Sequence, residues 1–192
     1  MAYYGLQKPL IAKYNRSTGV YSDGFVCGKG VSFEVTPNYA EGSLYADNEQ
    51  AEYEKTFTNA DVTLGTSTLP IEAASTVFGH TVDTTTNNVT YKSSDEPNYV
   101  GTGVVIDEVV DGVKKYYAVI ITCVKFQEGA ESFTTKGDSI TFATPSISGK
   151  AIPDKQSVWR IRQEFSTAAA AEAYIRTMFN MSSPASITPI GG

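Results

Sequence analysis

Catalysis needs a nucleophile, a proton carrier or a metal ligand at a workable spacing, and few side chains here could supply one. The 192-residue chain has one histidine, His80, and two cysteines, Cys27 and Cys123. A structural zinc centre takes four ligands of the Cys/His type, so these three cannot build one. His80 follows Gly79, a helix-stopping residue. It reads as a cation at a helix C-terminus or as a packed core residue rather than as a catalytic base. No Gly-x-Ser-x-Gly turn is present to activate a serine. Gly24–Gly30 and Gly101–Gly103 are glycine-rich but lack the Gly-Lys-Ser/Thr of a phosphate loop, so they read as turns and strand starts. The acidic residues Glu41, Asp47, Glu49, Glu52 and Glu54 lack the calcium-loop spacing and read as a solvated acidic face. The expectation is a chain with no catalytic residue, no metal site and no cofactor, and hence not an enzyme.

Composition narrows the class further. Hydrophobic residues make up 41% of the chain, enough for a sizeable core. Charged residues make up 19%, below the usual value of about 25%, which suggests surface covered by something other than water. Net charge is −6 and the pI near 4.8, so the basic footprint of a nucleic-acid binder is missing and anionic membranes are disfavoured. The opening MAYYGLQKPLIAKYNRSTG lacks a basic stretch followed by an apolar run and does not read as a signal peptide. The longest apolar stretch, Tyr116–Val124, falls well short of the ~20 residues needed to span a bilayer. Without an export signal, Cys27 and Cys123 read as reduced, buried thiols, with a single disulfide as the alternative. The expectation is a soluble protein made in the cytoplasm.

Strands are the elements that would have to position any site. Residues 1–26 are rich in Tyr and Gly, with turn signals at Ser17-Thr18-Gly19 and Ser22-Asp23-Gly24. Val31, Phe33 and Val35 alternate with Ser32, Glu34 and Thr36, as in a half-buried strand. Pro37-Asn38 ends it, and residues 37–51 read as a long loop carrying Tyr39, Leu44 and Tyr45, too aromatic for an idle connector. Tyr53 and Phe57 share one parity while Ala60, Val62 and Leu64 share the other, which demands a bulge or break near Thr58–Asn59. Pro70–Ser75 reads as a short helix, with Thr68 as N-cap and Gly79 as the stop. Residues 81–98 read as loop with a short strand at 89–91. Asp111-Gly112 joins Gly103–Val110 to Val113–Phe126 as a hairpin, and Tyr116–Val124 reads as covered on both faces. Phe133–Phe142 reads as a strand, 145–157 as a loop, and Trp159–Phe165 as a last strand. Ser166 or Thr167 caps the helix Ala168–Met178, whose stripe is Ala171, Ile175 and Met178. The sum is a mainly β fold: one β-sandwich or partly closed barrel over residues 1–180, with two short helices and a flexible tail at 181–192. Its edges look thinly protected. Either the sheet closes on itself or its helices cover them, or neighbouring copies do.

The stretch VSFEVTPNYAEGSLYADNEQAEYEKTFTNADVTLGTSTLPIEAASTVFGH, residues 31–80, bears on that choice. Together with MAYYGLQKP and YYAVIITCVKFQEGAESFTTKGDSITFATPSISGKA, it resembles the major tail proteins (tail tube proteins) of long-tailed, siphovirus-type phages or prophages of Gram-positive bacteria. The resemblance is collinear over about residues 1–170 and implies a virion protein that forms rings, typically hexamers. Such rings stack into a tube around a tape-measure protein and meet tail terminator and baseplate or initiator proteins, and DNA later passes through without specific binding. The long loop of such subunits reaches the adjacent ring. Here the matching segment carries Pro37, Asn38, Tyr39, Leu44, Tyr45 and Asp47. Because duplex DNA is densely anionic, a transit channel should be acidic. The lumen candidates are Ser32, Glu34, Thr36, Glu52 and Glu54, with Val31, Phe33, Val35, Tyr53 and Phe57 turned to the core. The alternatives are a carbohydrate- or receptor-binding β-domain, with Tyr39 and Tyr45 as its platform, or a tail completion or baseplate component.

Overall fold

In chain order the elements are β1 (Ala2–Asn15), β2 (Val20–Val26), β3 (Gly30–Ala46), β4 (Glu49–Thr66), α1 (Ile71–Thr76), β5 (Thr81–Asp83), β6 (Asn88–Thr90), β7 (Tyr99–Val110), β8 (Val113–Gln127), β9 (Ser146–Ala151), β10 (Arg160–Phe165) and α2 (Ala168–Met178). This computed structural model describes residues 2–46, 49–130, 135 and 144–182. Apart from Thr135, the expected strand at 133–142 lies outside the described residues, as does the tail from 183 onward. The fold is mainly β, as the sequence predicts. One antiparallel sheet runs β2-β1-β7-β8-β9-β4-β3, and β10 pairs with β8 beside that path. Among the described residues the sheet ends at β2 and β3 and does not close into a barrel, which fits the sandwich form of the expected fold.

β8 is the hub. Ala118–Val124 is buried on both faces, as its unbroken apolar run predicts. On one face Val119, Ile121 and Val124 meet Val62 and Leu64 of β4, Ile147 of β9 and Val77 after α1. On the other, Ala118, Ile120 and Cys123 meet Leu10 of β1 and the α2 stripe of Ala171 and Ile175, followed by Phe179. The helix seats closely because β7 carries glycines beneath it. A Cβ on Gly103 would sit 2.5 Å from Ile175 Cγ2. Thr167 caps α2 by accepting the Ala170 N–H at 3.2 Å. One edge of β8 is shared, with β10 on Tyr116–Ile121 and β9 on Val124–Gln127. The sheet coils over so that β3 begins against the Leu6 side chain of β1, giving sandwich-like packing around the first core.

Several expectations change. Residues 2–26 form the β1–β2 hairpin, turned at Gly19 (φ +79°). Residues 81–98 include the β5–β6 hairpin. The segment 145–157 is not all loop, because Ser146–Ala151 is strand β9 between β8 and β4. α1 starts at Ile71 with Pro70 as its N-cap, not Thr68, and Gly79 (φ +76°) supplies the stop. Cys27 belongs to the first core and Cys123 to the second, on opposite faces of the sheet. Both thiols are free, and burial pushes each up to about 11.

Candidate functional site

The largest correction falls on the segment expected to be a loop. Pro37, Asn38, Tyr39, Leu44 and Tyr45 lie in strand β3, which continues to Ala46 and pairs with β4 as far as Glu49. Asp47 lies outside the described residues. Pro37 does not end the strand because β3 is an edge strand, where a missing N–H costs no ladder bond. β9 borders β4 only from Ala60 onward, so Tyr39–Ala46 and Glu49–Phe57 pair with each other alone among the described residues. At a rise of ~3.3 Å per residue this two-stranded arm runs about 25 Å past the sheet.

Register defines its faces, because directly opposed residues point the same way. Asn38 opposes Asn59 and Tyr39 opposes Phe57, leaving Thr58 as the bulge that the parity switch predicts. The bulge restores alignment. Glu52 opposes Leu44 and Glu54 opposes Gly42, on the same face as Ser32, Glu34 and Thr36. All five predicted lumen residues therefore share one face of one hairpin, and all five are exposed. The face also holds Asp61, whose carboxylate accepts from Lys150 Nζ at 2.8 Å and Asn38 Nδ2 at 2.6 Å. Those two donors hold the Asp61 carboxyl below its ordinary range.

Tyr39, Glu41, Ser43, Tyr45, Tyr53, Lys55 and Phe57 occupy the opposite face. Lys55 pairs with Glu41 and lies 4.9 Å above the Tyr39 ring, which meets Phe57 edge-on at 6.0 Å. Phe33, Val35 and Phe57 pack on the first core as expected. Tyr53 does not: it is 54% exposed, because among the described residues no other strand flanks the arm beyond Phe57. Val31, 53% exposed, also departs from expectation, since it lies in a register shift between Gly30 and Ser32 that turns it out of the alternation. The arm's root is pinned three ways. Thr58 Oγ1 donates to the Asn38 carbonyl at 3.0 Å, Asn38 Nδ2 donates to Asn59 Oδ1 at 3.0 Å, and Phe57 stacks on Trp159 at 4.6 Å.

No protein-family model and no curated protein matches this chain. Among the described residues no three His, Cys, Asp or Glu side chains converge on a metal position, and no helix is long and apolar enough to cross a membrane. Among the described residues the arm presents a face with exposed Glu52 and Glu54, an aromatic face, and strand edges that meet no further strand. Sequence reasoning missed the surroundings of His80, whose ring nitrogens both meet carboxylates, because those partners lie 15 and 48 residues away.

Proposed function

We propose that the chain is a structural subunit that assembles with copies of itself into stacked rings, forming the tail tube of a siphovirus-type phage. The observation that carries this reading is the arm, a β-ribbon whose aromatic face keeps Tyr39, Tyr45 and Tyr53 exposed and whose backbone edges are unpaired among the described residues. An isolated two-stranded ribbon is marginal in water, and exposed edges and apolar side chains are what a neighbouring subunit covers. In this reading the arm reaches the adjacent ring. The face carrying Glu34, Glu52 and Glu54 lines a channel that repels DNA instead of gripping it. A tape-measure protein fills that channel during assembly, terminator and baseplate proteins close its ends, and the subunit resides in the virion.

Negative-stain microscopy and sedimentation of the full-length protein, across concentration, salt and temperature and with an initiator complex added, test the reading. Hollow tubes or rings are expected, and monomers under every condition overturn it. A second reading, a carbohydrate- or receptor-binding domain, draws on the same three exposed tyrosines. A glycan array that raises the melting temperature without any self-association would favour it.

A further inference from the structure

We propose that His80 is a pH-operated clasp, an imidazolium that holds the end of β8 against the turn after β6 and lets go of β8 when it loses its proton. The ring's Nδ1 lies 2.8 Å from Asp95 Oδ2 and its Nε2 lies 2.9 Å from Glu128 Oε1. A neutral imidazole has one N–H and cannot donate to two carboxylates, so the pair of contacts requires the cation. The groups around the ring come from three segments. Phe78 and His80 follow α1, Tyr91 (4.4 Å), Lys92 and Asp95 belong to the turn, and Glu128 extends β8. Burial alone would lower the imidazole's pKa, but Asp95 and then Glu128 outweigh it and the net shift is upward.

The two contacts are not equivalent. Asp95 is 10% exposed and accepts a second hydrogen bond, from the Lys92 N–H at 2.9 Å. Glu128 is 48% exposed and can exchange the ring for water. Neutral His80 keeps its single proton toward Asp95, and its bare Nε2 then faces the Glu128 carboxylate lone pair to lone pair. Glu128 is the partner that leaves. With Gly129 and Ala130 it lines a cleft of about 220 Å³ to which Leu69, Phe78, Tyr91 and Ile147 also contribute. Deprotonation therefore loosens that part of the lining. Because the folded pKa is raised, the clasp's stabilisation is complete below the ordinary value of about 6.5 and is lost as pH rises through the folded value. This inference does not depend on the tube reading.

Hydrogen exchange of the full-length protein, read by mass spectrometry over a pH series and corrected for intrinsic rates, tests it. Peptides covering 127–130 are expected to lose protection on the order of tenfold across the transition, the weight of one charged hydrogen bond. The midpoint is expected above pH 6.5. The exposed substitution Glu128→Gln should flatten the profile, and so should His80→Gln. Equal protection on both sides of neutrality, a midpoint at or below 6.5, or an undiminished transition in Glu128→Gln would overturn the proposal.

Discussion

Phe57 and Trp159 stack with ring centroids 4.6 Å apart and planes 15° from parallel, tying the root of the arm to the residue just before β10. Trp159 is the chain's one tryptophan, so its fluorescence reports this joint alone. Phe57→Ala should shift Trp159 emission to the red and lower stability by about 2 kcal/mol, the size expected for a half-buried aromatic pair. Denaturant unfolding followed at that emission measures both. Unchanged emission would mean that the stack does not hold the arm.

Removing the arm separates folding from assembly. Tyr39 and Phe57 are directly opposed, so residues 40–56 can be replaced by Asn-Gly to close a two-residue turn. Both cores lie outside that segment. The variant should keep its circular dichroism spectrum and melt within about 3 °C of the parent, a change of about 1 kcal/mol or less. It should form no tubes under the microscope. Normal tubes from this variant would remove the arm from ring stacking.

The arm also marks where reading residues in order runs out. The Asp111-Gly112 turn was legible because only such a pair takes φ +50° and +79° cheaply. The Thr58 bulge was legible because Phe57 and Ala60 are both turned to the core across a broken alternation. Ala40, Gly42 and Leu44 gave no such signal, since a ribbon that meets no further strand or helix among the described residues has no buried face to impose a period of two. β9 was hidden for the opposite reason. It sits between two strands that supply the core, so Ile147 and Ala151 suffice, and Gly149 is needed where the strand presses on the Lys125 backbone. The five lumen candidates were legible as polar parity, but their shared face depends on the bulge.

A second ion cluster gives an acid limit. Glu172 of α2 bonds Lys8 Nζ at 3.1 Å and Arg176 at 2.9 Å. Burial would raise its carboxyl pKa, but the two cations overcome that and hold it below the usual range. A depressed carboxylate contributes stability above its unfolded pKa and loses it as pH falls through the folded value. Glu172→Gln should therefore melt lower at pH 7, by about 1–2 kcal/mol because the site is only partly open to water. The gap between variant and parent should close as pH drops below about 4.5, the ordinary glutamate region. Thermal melts from pH 3 to 7 measure it, and a gap independent of pH would exclude the ion cluster as its source.

Charge on the arm's polar face offers the most direct test of what that face meets. Glu34, Glu52 and Glu54 share it, and all three are exposed. Changing three Glu to Lys adds six charges and takes the chain from −6 to neutral. If the face lines a channel, each ring of the triple variant presents lysines to passing phosphates, and counterion release makes the duplex stick. Tubes should still assemble, because the aromatic face and the strand edges are untouched. Those tubes should retain double-stranded DNA at about 50 mM salt and release it steeply as salt rises, where the parent binds none at either extreme. In a phage carrying the variant, ejection should slow or stop while adsorption stays normal. Tubes that ignore DNA at low salt, together with undiminished infectivity, would place these glutamates on the outside of the tube.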